Sequence, residues 1–171
     1  MQPVDTYLAA AKTAKLDEFI SRNPRFFLVK RPRKRGNTPS TPATISYDTV
    51  LAQVDVDPFA GEWRLVPVQK RADNPFPERI TVGRATNCDV VLRLPSISKL
   101  HALLIVGNDG SLSLRDNQAV NETFVNGRKL ASNAQVLLNI GDIISFGRLD
   151  LEFVDAATLF KMLRGEMSHP I

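Results

Sequence analysis

Three side chains in this chain of 171 residues could together hold an oxyanion: Arg84, Ser98 and Lys99. A guanidinium presents a planar fork that can pair two oxygens at once. A serine offers a short hydroxyl and its backbone amide, and a lysine adds a second positive charge. Held rigidly on neighbouring loops, such donors suit a phosphorylated side chain, which carries nearly two negative charges and three acceptor oxygens. A flexible lysine cloud would instead bind any anion. Gly83, beside Arg84, allows the backbone bend that puts the arginine at a strand end. Further small polar residues sit where hydrophobic alternation breaks: Ser98-Lys99-Leu100-His101, then Asn121-Glu122-Thr123-Phe124-Val125-Asn126-Gly127, then Gly141-Asp142 and Phe146-Gly147.

Other chemistries find little support. Ser98, His101 and Asp116 invite a hydrolytic triad, but Ser98 and His101 are three residues apart on one loop and no Gly-x-Ser-x-Gly elbow exists. There is no Gly-x-x-x-x-Gly-Lys loop and no dinucleotide fingerprint, and two histidines with one cysteine make no convincing metal site. The expectation is therefore a chain with no catalytic residue, no metal and no cofactor. Cys88, the single cysteine, excludes an internal disulfide framework and reads as a small, part-buried residue, not a reactive thiol.

The elements that position these residues read as mainly β. From Glu62 short apolar runs recur with turn chemistry between them: a stretch around Trp63, Leu65 and Val68, then 80–82, 90–92, 102–106, 112–114, 124–125, 136–138, 143–146 and 149–154. Asp73 to Pro77 is a loop because its two prolines cannot join a central ladder. Asn108-Asp109-Gly110 and Asn126-Gly127-Arg128 are hairpin turns that tolerate positive φ. Many short strands with no helix between them predict an antiparallel β-sandwich, closed by a helix over 156–164 that packs Leu159, Phe160 and Leu163. Ahead of it, Val4, Leu8, Ala11, Leu16, Phe19 and Ile20 predict one helix over 4–22, ended by Asn23-Pro24. Its apolar face is too thin to stand alone in water, so it must dock or fray. Phe26 to Val29 reads as a strand or docking segment, 36–44 has linker composition, and 45–60 stays open between helix and strand.

The ordered motifs resemble the forkhead-associated (FHA) domain, a reader of phosphothreonine peptides, over roughly 78–154 in motif and 62–165 as a folded unit. The resemblance implies an FHA-type sandwich with short N- and C-terminal helices. It divides the chain into an extension over 1–61, the domain over 62–165 and a tail over 166–171. In similar domains the residues at Arg84 and Ser98 contact phosphate, and the one at Lys99 often does. The residue at Asn121 holds the peptide backbone, and the buried histidine at His101 braces the loops. Gly83, Thr123, Asn126 and Gly127 complete the structural motif. Two positions depart from the pattern: Val120 stands where the family has Ser or Thr, and Glu122 where it has Gly. The lost hydroxyl and the added carboxylate each cost on the order of a kcal/mol of phosphate binding. The implied function is an adaptor in Ser/Thr kinase signalling that binds a phosphothreonine-containing protein or a kinase. The alternative is a phosphate-independent FHA-fold scaffold or oligomerisation protein.

Charge supplies one further feature. The net charge is +4, yet 22–35 holds seven Lys/Arg and no acid; without them 15 Lys/Arg face 18 Asp/Glu, a net of −3. This segment is either a solvated, charge-flanked strand or a dock for an acidic partner, with anionic lipid a further option and nucleic acid disfavoured. Thr38, Thr41 and Thr44 behind it could be kinase targets, and phosphorylation there would let the domain latch onto its own or a neighbour's chain. No run approaches the ~18–20 apolar residues of a membrane span, and the start lacks a signal-peptide pattern. The cytoplasm is the expected location, and the lone cysteine fits a reducing compartment.

Overall fold

A computed structural model of the chain describes residues 2–32 and 62–166. Two β-sheets face each other, and a layer of three short helices covers the outer side of one of them. The elements are β1 (Gln2–Pro3), α1 (Asp5–Thr13), α2 (Leu16–Arg22), β2 (Phe26–Lys30), β3 (Arg64–Val68), β4 (Arg79–Gly83), β5 (Val90–Val91) and β6 (Ala102–Val106). They continue with β7 (Leu112–Asp116), β8 (Thr123–Val125), β9 (Arg128–Lys129), β10 (Gln135–Leu137), β11 (Ile143–Phe146), β12 (Leu149–Asp155) and α3 (Ala156–Leu163). One sheet runs β1-β3-β2-β12-β11-β8-β9 and the other β10-β7-β6-β4-β5. Pairing is antiparallel except between β4 and β5, which run parallel with Gly83 opposite Val91.

The apolar alternation explains this layering. Leu28 of β2, Val66 and Val68 of β3, and Leu149, Leu151 and Phe153 of β12 enter the core between the sheets. Phe27, Val29, Leu65 and Val154, on the opposite faces of the same strands, enter a second cluster with Ala11, Phe19, Leu159 and Phe160 of the helices. Both faces are covered, so Phe27-Leu28-Val29 is a continuous apolar run. Asp155 caps α3 by accepting a hydrogen bond from Thr158 N at 2.7 Å.

Three sequence expectations change. The helix over 4–22 is two helices, because Ala14 and Lys15 are extended, with ψ of 157° and 160°. A straight helix of that length would run about 28 Å; the break folds it back and sets Phe19 against Phe160, ring centroids 5.3 Å apart. The thin apolar face is thereby docked, not frayed. Second, Phe26–Lys30 does not belong to an extension outside the sandwich. It is a central strand, paired with both β3 and β12, since its two apolar faces can be buried only inside the stack. Third, β9 escaped notice because Arg128 and Lys129 carry no apolar signal. The linker reading of 36–44, the open assignment of 45–60, and Thr38, Thr41 and Thr44 lie outside the described residues.

Candidate functional site

Gly83 ends β4, and the next residue, Arg84, starts a loop held by backbone bonds to a second loop. Arg84 N donates to Ser98 O at 2.9 Å and Ala85 N to Lys99 O at 3.1 Å. Gly83 is required here for closeness, not for bending. A Cβ on it would stand 2.2 Å from Lys99 O and 2.9 Å from Lys99 C. The Arg84 side chain is exposed, and its Nε donates to Ile97 O at 3.0 Å. That bond restrains the guanidinium, and neither Nη group has a hydrogen-bond partner among the described residues. Beneath this loop, the Asp89 carboxylate accepts from Thr81 N (2.6 Å), Thr81 Oγ1 (2.7 Å), Arg71 N (2.7 Å) and Asn74 Nδ2 (2.7 Å). Burial disfavours its charge, but these donors outweigh that and hold its pKa below the ordinary carboxylate value. Sequence reading passed over Asp89, because only the fold brings its four donors together.

Ser98 sits at the centre of the second loop. Its Oγ accepts from Val120 N at 3.2 Å, a bond that leaves the hydroxyl proton free to donate. Sequence reading offered its amide to the ligand as well; instead that amide donates to His101 Nδ1 at 3.1 Å. Lys99 is exposed, and its carbonyl also accepts from Cys88 Sγ at 3.3 Å. Burial leaves Cys88 4% exposed and pushes its thiol up, so it stays protonated. A third loop brings Asn121, whose Nδ2 donates to Ser96 O at 2.7 Å. Gly147 packs against it, since a Cβ there would lie 3.1 Å from Asn121 Cβ. Arg84, Ser98, Lys99 and Asn121 are therefore assembled from three loops at one edge of the sandwich.

The remaining motif residues are supports. Asp116 is buried, accepting from Thr123 Oγ1 and, at 3.2 Å, from Ala119 N. It ties the start of β8 to the loop that precedes Asn121. Asn126 and Gly127 are at the far end of β8, in a turn with φ of 50° and 74°. Asn126 Nδ2 donates to Asp142 Oδ1 at 2.8 Å and its Oδ1 accepts from Ile143 N at 2.9 Å, so it braces another loop and does not join the anion site. No hydrolytic triad forms, because His101 receives the Ser98 amide, not its hydroxyl, and both Asp116 oxygens are engaged elsewhere. Glu122, the carboxylate closest in sequence to Asn121, is ion-paired with Lys129.

His101 is fully buried, edge-on to Phe146 at 5.5 Å. Accepting at Nδ1 requires the tautomer protonated at Nε2. Burial lowers its pKa below 6.5, with the Asp116 charge opposing weakly. In the unfolded chain it takes up a proton more readily, so the native state is favoured fully above pH 6.5 and loses that advantage as pH falls. Denaturant midpoints should drop between pH 7.5 and 5.5, above the range in which carboxylates titrate. A flat profile over that window would show that the Ser98–His101 bond is not coupled to protonation.

The described cations of the basic stretch, Arg22 to Arg31, have contacts within the fold. Arg22 pairs with Glu18 at 2.9 Å, and Arg31 with Glu152, Nη2 donating to Oε1 at 3.0 Å. Arg25 lies over the Phe26 ring at 4.8 Å, and Lys30 is 3% exposed. Arg33, Lys34 and Arg35 lie outside the described residues. No helix among the described residues is long and apolar enough to cross a membrane.

Residues 80–147 match the family model of the FHA domain. The chain contains an FHA domain. Two curated relatives resemble this FHA segment. One is the ABC transporter ATP-binding/permease protein Rv1747 of Mycobacterium tuberculosis, 38% identical over 79 residues, or 46% of this chain and 9% of that protein. The other is the serine/threonine-protein kinase RAD53 of Saccharomyces cerevisiae, 38% identical over 68 residues, or 39% of this chain and 8% of that one. The chain thus spans under a tenth of the length of either. Among solved structures, the FHA domain of CT664 protein from Chlamydia trachomatis superposes with a TM-score of 0.49 at 24% identity, covering 77% of this chain and 97% of that one.

Proposed function

We propose that the FHA domain of this chain binds a phosphothreonine-containing protein, as an adaptor in Ser/Thr kinase signalling. The observation that carries the reading is the exposed Arg84, its guanidinium held through Nε to Ile97 O and neither Nη group hydrogen-bonded among the described residues. Among the described residues no carboxylate pairs with it. Ser98 and the exposed Lys99 follow on the neighbouring loop, and Asn121, fixed to Ser96 O, would hold the peptide backbone. An anion there gains a bidentate, charge-assisted contact without reorganising the loops. Of the two departures from the family pattern, Glu122 is offset by Lys129. Val120 is 89% exposed, and that bare apolar side chain at the rim is what favours the second reading, a phosphate-blind scaffold.

Titration with a degenerate phosphothreonine peptide library, beside its unphosphorylated twin at physiological salt, separates the two. Selective capture of the phosphorylated pool is the expected result. Equal binding of both pools, or none, would transfer the assignment to the scaffold.

A further inference from the structure

We infer that the free edge of β10 is an interface with a second copy of this chain, paired antiparallel across a two-fold axis. Among the described residues the sheets end in four outer strands, β1 and β9 in one and β5 and β10 in the other. Such edges are templates for further pairing, and proteins blunt them with proline, charge or brevity. β1 contains Pro3, β9 consists of the exposed Arg128 and Lys129, and β5 is two residues long between Asp89 and Arg93. β10 is short too, at three residues, but has neither charge nor proline. From Ala131 to Ile140 the chain holds no charged residue at all, and Leu137 and Ile140 are exposed apolar side chains.

The backbone of β10 fits its own copy. Leu138 N donates to Leu112 O at 2.9 Å, and Gln135, Val136 and Leu137 stand opposite Arg115, Leu114 and Ser113 of β7. Antiparallel ladders alternate, so Val136 and Leu138 turn their N–H and C=O groups to β7, and Gln135 and Leu137 turn theirs to the open edge. Those outward groups have no partner among the described residues. A two-fold through Val136 sets Gln135 opposite Leu137 of the second copy, and the reverse. Every outward N–H then meets an outward C=O, in four bonds. Absence of charge suits this pairing. Identical charged strands would repel each other, and an uncharged strand offers no pattern that selects a different extended peptide. The two five-stranded sheets become one of ten strands. β10 runs opposite to β4, which leads into Arg84, so the two-fold sends the Arg84 loops to opposite ends, clear of the interface.

Sedimentation of the full chain, treated with phosphatase to remove any phosphate-dependent association, tests this. The mass should climb from that of one chain towards that of two between micromolar and near-millimolar concentration, because so small an interface makes a weak dimer. Over the same range hydrogen exchange should slow at the Gln135 and Leu137 amides, while Val136 and Leu138 stay protected throughout. Gln135→Pro removes one outward donor from each copy and no bond to β7, and should weaken association about tenfold or more. Leu137→Lys keeps every donor but brings two like charges within diagonal reach, and should do the same at low salt. Arg84→Ala should associate like the wild type, so failure of the phosphothreonine reading leaves this inference standing. A chain that is monomeric at every concentration overturns it, whether the two amides exchange freely or are already protected by another part of the chain. So does a dimer that both edge variants retain, and so does one lost in Arg84→Ala.

Discussion

Arg84→Ala should abolish phosphothreonine-peptide binding, with a loss on the order of a hundredfold or more, while the protein keeps its fold. The two halves of this expectation have separate causes. The side chain makes a single intramolecular hydrogen bond, to Ile97 O, and removing an exposed bond of this kind costs about 1 kcal/mol or less. The backbone link from Arg84 N to Ser98 O survives in alanine, so the loops stay together. The ligand, by contrast, loses the planar fork that Ser98 and Lys99 cannot reproduce. Arg84→Lys should recover part of the affinity, since it restores charge without the fork. Calorimetric titration measures the loss and thermal unfolding checks the fold. Unchanged affinity in the alanine variant would sink the phosphate reading outright.

Gly83→Ala should cost stability and binding together, although it adds one methyl group. The new Cβ would sit 2.2 Å from Lys99 O and 3.0 Å from Leu100 Cα. Both are backbone atoms, so no side-chain rotation relieves the overlap. Gly83 cannot retreat, because its carbonyl is bonded to Leu92 N at 2.8 Å and its strand pairs with β5. The 98–100 loop must move instead, carrying Ser98 and Lys99 away from Arg84. Overpacking of this kind costs about 1–3 kcal/mol, read as a lower denaturant midpoint, with phosphopeptide affinity falling at least as far as in Ser98→Ala. Gly127 gives the contrast: nothing lies within 4 Å of a Cβ there, but its φ of 74° strains any side chain. Wild-type stability in Gly83→Ala would mean that the loops are not in contact as described.

Sequence reading reached the strands of the sandwich, because period-two alternation and Asn-Gly or Asp-Gly turns are local signals. It reached the order of the loops that carry Arg84, Ser98 and Asn121 for the same reason. Contacts made by folding were beyond it. Nothing in Ser98-Lys99-Leu100-His101 says that the serine amide is spent on the histidine ring, and nothing near Glu122 announces Lys129 seven residues on. The same limit misplaced Phe26–Lys30. Its apolar run was visible, but its neighbours in the sheet, Arg64–Val68 and Leu149–Asp155, lie far along the chain.

That placement governs how the protein is made. β2 is synthesised early, yet Phe27 must pair with Val154 and Leu28 with Phe153, residues that leave the ribosome after every other strand. Until they arrive, β2 and β3 form an incomplete ribbon with one unpaired edge and two apolar faces. The sandwich therefore closes only once β12 has been made, by a contact of large sequence separation, the kind that slows folding. The nascent chain meanwhile presents a sticky strand edge, the feature that holding chaperones shield.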